Sequence, residues 1–270
     1  MTKFLKTHRF TIARRFTQVL TLCLFVAGNV FGVKILQGNL SSSELFGVTL
    51  SDPLAVAQLL LAGGMIGVVG LLGAAFVLAF YALIAPRAFC GWVCPVNLVT
   101  DAANFVKIKF GFNKSFITLP HSFSYAFLAL SLVCSALFSL PVWESVSFVG
   151  ALTREAVVLS GEAVVVGLIL FAFEFVAAKR TVCGRLCPLG AFWTLASRFS
   201  LLRVGYLLDK CSHCGRCVQV CPHESALKMV GKNDAFVTSE CVSCGRCVQV
   251  CEDEALKFDL VILAKKHSKN

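Results

Sequence analysis

Four stretches of this chain, residues 16–36, 54–84, 122–142 and 156–178, are predominantly apolar over about 20 residues or more. Each is long enough to cross a hydrocarbon core as a helix, whose backbone groups bond within the segment. With mean hydropathy +0.79 and 57% hydrophobic residues, the chain lies above the roughly 45–50% apolar usage of soluble domains. An ordinary soluble globular protein is excluded. From about residue 203 onward Lys, Asp, Glu and Cys take over, so two regions with different solvents are expected.

Short cytoplasmic loops collect Lys and Arg, and the flanks here alternate accordingly. Lys3, Lys6, Arg9, Arg14 and Arg15 precede the first run; Arg87, Lys107, Lys109 and Lys114 lie between the second and third; Lys179, Arg180, Arg185, Arg198 and Arg203 follow the fourth. The loops 37–53 and 143–155 hold Glu44, Asp52, Glu144 and Glu155 against a single Arg154. The first group reads as cytoplasmic and the second as outward-facing. The net charge of +10 is then mostly membrane topology, with the basic residues solvated at the membrane flank, and it points to no nucleic acid. The N-terminal apolar run has no small-residue cleavage site, so a retained anchor is expected rather than a signal peptide.

Twelve of the 14 cysteines fall into regular groups, which reads as metal ligation rather than a disulfide framework. Free thiolates suit a reducing cytoplasm, in agreement with the charge pattern. The strongest groups are Cys211-x2-Cys214-x2-Cys217-x3-Cys221-Pro222 and Cys241-x2-Cys244-x2-Cys247-x3-Cys251. Each is a bacterial-ferredoxin ligand run, whose fourth cysteine ligates the other cluster. One [4Fe–4S] cluster is therefore assigned to Cys211, Cys214, Cys217 and Cys251, and a second to Cys241, Cys244, Cys247 and Cys221. Paired zinc sites would favour two Cys pairs across a longer gap. Glu252 stands where the first run has a proline.

The chain also repeats itself. Arg87-Ala-Phe-Cys90-Gly-Trp-Val-Cys94-Pro95 follows the second apolar run, and Arg180-Thr-Val-Cys183-Gly-Arg-Leu-Cys187-Pro188 follows the fourth. An even number of spans separates the copies, so the halves are parallel two-helix repeats. Cys90, Cys94, Cys183 and Cys187 are candidates for an additional metal or redox-active disulfide role, the alternative being buried thiols at helix ends. Gly63, Gly64, Gly67, Gly70 and Gly73 form a close-packing face or, less simply, a quinone groove. Glu162, Glu174 and His121 are candidates for accepting quinol protons, though each also suits a loop or helix end. Cys23 and Cys134, alone in the first and third spans, read as core residues.

The expected fold is an all-α membrane domain of four transmembrane helices with a small α+β 2[4Fe–4S] ferredoxin domain. The boundaries are an N-terminal cytoplasmic segment at 1–15, the membrane domain at 16–200 and the ferredoxin domain at 201–270. Four spans, two Cys-x3-Cys-Pro motifs and a double ferredoxin run together resemble the NapH family, membrane components of quinol dehydrogenases that serve periplasmic nitrate reductase. The resemblance implies a multi-pass protein of the bacterial inner membrane with both termini in the cytoplasm. It would take electrons from menaquinol or ubiquinol and pass them on with a NapG-like periplasmic iron–sulfur partner. Catalytic residues are not assigned by it. No Cys-x-x-Cys-His haem site occurs in the sequence, so outward transfer would use the quinone or a partner. The competing readings are a membrane iron–sulfur maturation or regulatory protein, and a redox module docking a cytoplasmic ferredoxin-type or maturation partner.

Overall fold

The computed structural model describes residues 2–111, 120, 122–177 and 180–261. His121, Lys114, Lys179 and the end of the fourth apolar run at Ala178 lie outside them. The first helix, α1 (Thr2–Val30), takes in the basic N-terminal segment together with the first apolar run. Among the described residues its stretch His8–Val30 is the one helix long and apolar enough to cross a membrane.

The outward loop expected at 37–53 is instead a three-stranded antiparallel sheet of β1 (Leu36–Gly38), β2 (Ser42–Leu45) and β3 (Val48–Ser51), in that order. Its turns follow from local chemistry. Asn39 Oδ1 accepts from Ser41 N at 2.9 Å and Ser42 N at 3.0 Å, an Asx turn. Phe46 and Gly47 both take positive φ, which matches the twist of a two-residue hairpin.

Helix α2 (Pro53–Leu61) begins with Asp52 accepting from Leu54 N at 3.1 Å and with proline in the first turn. The apolar run 54–84 then breaks. Gly63 takes φ +75 while Gly64 N reaches Leu59 O at 2.9 Å and Gly63 N reaches Leu60 O at 3.2 Å, the paired bonds that close a helix on a left-handed glycine. The chain resumes as α3 (Val68–Ile84). Of the glycines expected to admit a second helix, Gly73 is approached by the backbone of Thr49 and Leu50, so a strand and not a helix uses the space.

Then come α4 (Ala88–Trp92), α5 (Val96–Lys109), α6 (Ser122–Phe138), α7 (Val142–Val146), α8 (Phe148–Val158) and α9 (Glu162–Val176). The third run stops at Phe138, short of Pro141. The fourth is interrupted at Leu159, which is left-handed, and restarts after Gly161. The span expected at 54–84 is thus two helices of 9 and 17 residues, and the longest helices within 122–142 and 156–178 have 17 and 15. A π-helical turn (Val182–Leu186) leads to α10 (Pro188–Ala196), β4 (Leu202–Tyr206), α11 (Arg216–Val220), β5 (Ala235–Phe236), α12 (Arg246–Val250) and β6 (Leu256–Leu260).

These elements group into two compact units. One comprises Gln18–Phe80 and Val93–Phe192. Here α5 and α8 pack on α9, and α2 on α6. Its polar groups turn inward: the buried Gln58 accepts from Trp143 N at 2.8 Å and Ser135 Oγ at 3.3 Å. Many of its large apolar side chains, among them Leu72, Phe76, Leu137, Leu168 and Ile169, are more than half exposed. Cys23 and Cys134, expected in the core, are exposed and half-buried respectively; Phe25, two residues after Cys23, is the one that turns inward, against Leu36 and Val157.

The other unit comprises Met1–Thr17, Tyr81–Trp92 and Trp193–Asn270. Its sheet has the order β5-β4-β6, antiparallel, with Leu202 opposite Leu260 and Gly205 opposite Phe236. Helices α11 and α12 pack together, and Val204, Tyr206, Leu227, Val237 and Leu256 form the core. The N-terminal part of α1 joins it through Phe10, whose ring lies 5.2 Å from that of Phe258, and through Thr11 Oγ1, which donates to Gln249 Oε1 at 3.0 Å. Tyr81, Phe89 and Trp193 make an aromatic cluster with centroids 5.5–5.8 Å apart.

Candidate functional site

The two cysteine runs fold as near copies. His213 and Ser243 are left-handed at φ 57 and 49, and Gly215 and Gly245 at φ 71 and 70 start α11 and α12. This alternation rolls the chain so that successive N–H groups turn to one side, a concavity suited to an anion. His213 N donates to Cys211 Sγ and Ser243 N to Cys241 Sγ, both at 3.4 Å. Glycine is favoured at 215 and 245 because a Cβ disfavours this backbone region.

Each run ends where its chain leaves the helix, and its last cysteine reaches the other run's cavity. Cys211, Cys214, Cys217 and Cys251 line one cavity, walled by Tyr206, Val230 and Leu256. Cys221, Cys241, Cys244 and Cys247 line the other, walled by Val204, Pro222 and Leu227. The sets are those assigned above from spacing. Among the described residues no three His, Cys, Asp or Glu side chains close tightly enough to hold a single ion; the thiols ring a space instead.

Burial pushes the Cys221 thiol up to about 12, with Cys244 and Cys241 adding repulsion and a backbone hydrogen bond at His223 working the other way. Cys241 is likewise held at about 12, mainly by burial, and Cys247 well above its ordinary value. Such sulfurs become thiolates only beside compensating positive charge. Four crowded thiols in an apolar wall, with N–H groups aimed at sulfur, fit an iron–sulfur cluster, which supplies that charge and one-electron chemistry.

The Cys-x3-Cys-Pro motifs adopt related geometry. Cys90 is half-buried on α4, and Cys94 is buried at the kink before Pro95 and α5. Cys183 is half-buried in the π-helical turn, and Cys187 is buried before Pro188 and α10. The Thr100 hydroxyl lies 3.8 Å from Cys183 Sγ, and Gln18 Nε2 donates to Cys94 O at 3.4 Å.

Glu162 is exposed in the first turn of α9. Glu174 is fully buried, and its carboxylate accepts from Asn104 Nδ2 at 2.9 Å, Arg180 N at 2.5 Å and Val182 N at 3.1 Å. It thereby holds the backbone that leads into Cys183. Arg180 pairs with Asp101 and donates to Thr100 Oγ1 at 2.9 Å, and Lys107 Nζ donates to Ala177 O at 2.6 Å. Composition alone did not single out Asp101, Thr100 or Asn104.

Four cations expected to be solvated at the membrane flank are buried instead: Arg14, Arg87, Lys107 and Arg180 are at most 6% exposed. Burying a guanidinium or ammonium requires compensating partners, and Arg180 has them in Asp101 and Thr100 and Lys107 in the Ala177 carbonyl. Arg87 and Arg180, at the same place in the two repeats, also share positive φ of 43 and 59.

Comparison with known proteins agrees with this geometry. A family model described as a 4Fe-4S binding domain matches residues 66–113 and 160–206, one copy over each Cys-x3-Cys-Pro repeat. A 4Fe-4S dicluster domain matches residues 203–252. The methylamine utilization ferredoxin-type protein MauN of Methylorubrum extorquens is 37% identical over 239 residues, covering 87% of this chain and 83% of its own. The ferredoxin-type protein NapH of Escherichia coli is 37% identical over 225 residues, 83% and 78% of the two chains; NapH of Haemophilus influenzae is 37% identical over 231, 84% and 80%. No solved structure matches. With its ferredoxin-type cysteine runs and identity of this extent over most of its length, the chain belongs to the NapH family of ferredoxin-type 4Fe–4S proteins.

Proposed function

We propose that this protein is the multi-pass membrane subunit of a quinol dehydrogenase, with two [4Fe–4S] clusters in its C-terminal region. The observation that carries the reading is the pair of cavities lined crosswise by four thiols each, because a ligand contributed by each run to the other's cluster holds two one-electron centres close together. A helical unit that buries polar groups such as Gln58 and Glu174 while exposing many large apolar side chains supports a bilayer as its solvent. The helices α1, α3, α6 and α9 then serve as the four crossings, with both termini and the cysteine runs in the cytoplasm of a bacterial inner membrane.

A quinol gives up two electrons and two protons, so its oxidation requires two single-electron transfers into the protein. Tyr206, Val230 and Leu256 exclude water from one wall of the first thiol set, while Cys214 is exposed and open to a soluble redox partner. By the resemblance to NapH, a NapG-like iron–sulfur protein and a periplasmic nitrate reductase stand downstream. The matching identity to MauN supports a second reading, in which the same relay serves a different terminal enzyme or its maturation.

Anaerobic EPR with iron and acid-labile sulfide quantification, before and after adding a reduced quinol analogue, tests this. Iron for two clusters and signals that develop with quinol are expected. Complete clusters that quinol never reduces would move the assignment to the docking or maturation role, and zinc in place of iron would end the ferredoxin reading.

A further inference from the structure

The two cysteine runs share the core Cys-Gly-Arg-Cys-Val-Gln-Val-Cys, yet their surroundings within one compact unit differ. Around the first set, Ser212, His213 and Cys214 are exposed. The nearby Arg216 and Glu252 pair with each other at 2.6 Å, both more than half exposed. Around the second set, Val242, Ser243 and Cys244 are buried. Ser243 Oγ donates to Pro86 O at 2.7 Å, and Ser243 O accepts from Trp92 Nε1 at 3.0 Å. Gly91 leaves room for the Val242 carbonyl, and the Phe10 ring lies where a Cβ on Gly245 would be.

The pieces of chain that cover the second set also bring cations. Arg14, from the helix that carries Phe10, is fully buried and interacts electrostatically with Cys244. Arg87, next to Pro86 and 4% exposed, acts on Cys241, as does Arg203 of β4. Arg203 is fixed by bonds to Ser200 Oγ at 3.0 Å and Ser197 O at 3.2 Å.

Reducing an anionic cluster adds negative charge. Burial by itself opposes this, because water is lost from the charged product. Fixed cations in a poorly screened site favour it, and an arginine keeps its charge at neutral pH. Arg14, Arg87 and Arg203 act on the second set, whose cavity Arg246 also lines, whereas beside the first set Arg216 is paired with a carboxylate in water. We infer that Arg14, Arg87 and Arg203 make the centre held by Cys221, Cys241, Cys244 and Cys247 the higher-potential member of the pair, so that the first electron taken up resides there. This rests on the two-cluster reading proposed above.

The test is an anaerobic EPR redox titration of the full chain in detergent, with iron and sulfide counted on the same sample. A water-soluble paramagnetic relaxing agent identifies the centres, since exposed Cys214 places the first within its reach. The shielded signal is expected to appear first on reduction. Arg87→Met and Arg203→Met should move its midpoint to lower potential and leave the other signal unmoved, while Arg87→Lys restores most of the shift. Iron short of two clusters per chain would sink the two-cluster reading. Complete iron with the shielded signal reduced last, or Met variants that move both midpoints equally or neither, would overturn the inference. The order in the unaltered protein decides it even if a variant fails to fold.

Discussion

Arg87 and Arg180 stand three residues before the first cysteine of each Cys-x3-Cys-Pro repeat, and each is left-handed and buried. Counting basic residues places them beside the apolar runs, but the count cannot distinguish a solvated charge from one buried in the protein. Glu174 shows the same limit. Read as a candidate proton acceptor, it is engaged by three N–H donors, which makes it a clamp on the second repeat. Glu174→Gln turns an amide nitrogen toward at least one of those donors, and the lost bond should cost about 1–3 kcal/mol. Thermal melting in detergent should show the loss while quinol still reduces the clusters; abolished reduction with an unchanged melt would return Glu174 to proton transfer. Gly245 and Gly215 provide a matched pair. Both are left-handed, but only at Gly245 would a new Cβ also meet the Phe10 ring, at 2.6 Å. Gly215→Ala should cost about 1–2 kcal/mol, and Gly245→Ala more, with iron retention after mild heating as the readout.

At the scale of elements, the apolar runs were legible and their interruptions were not. Periodicity and length mark 54–84 as apolar throughout, yet the helix ends at Leu61 because the glycines at 63 and 64 offer a left-handed stop. The sheet β1–β3 leaves no mark in the sequence because its strands are only three or four residues long, too short to show alternation. Asp52 caps α2 beside this sheet. Burial pushes its carboxyl up to about 7, against the bond from Leu54 N and with Glu144 adding repulsion. Between roughly pH 4 and 7 the folded protein therefore keeps a proton that the unfolded chain releases, and stability falls as pH rises through that window. Melting temperature should decline from about pH 5 to about pH 8. Asp52→Asn, which keeps the capping oxygen, should flatten the profile; an unchanged slope would place the titration elsewhere.

Over the whole molecule, the unit that holds the cysteine runs has a small core that includes Cys217 and Cys247 themselves. Cores of this size contribute only a few kcal/mol, and metal commonly supplies the remainder. Anaerobic iron chelation should make residues 201–261 protease-sensitive while the helices within 18–192 persist; a tail that stays resistant without iron would show that the peptide core suffices. The ferredoxin assignment was available from sequence because the spacing of a ligand run is a local property: three thiols wrap one cluster through chain geometry alone. The long apolar runs and the duplicated Cys-x3-Cys-Pro motif were available for the same reason, since hydropathy and repetition are written residue by residue. What surrounds each cysteine set was decided only by tertiary structure. Two nearly identical runs carry no sign of which will be covered by Phe10, Trp92 and three arginines drawn from distant parts of the chain, because burial and electrostatic environment depend on contacts between residues far apart in sequence.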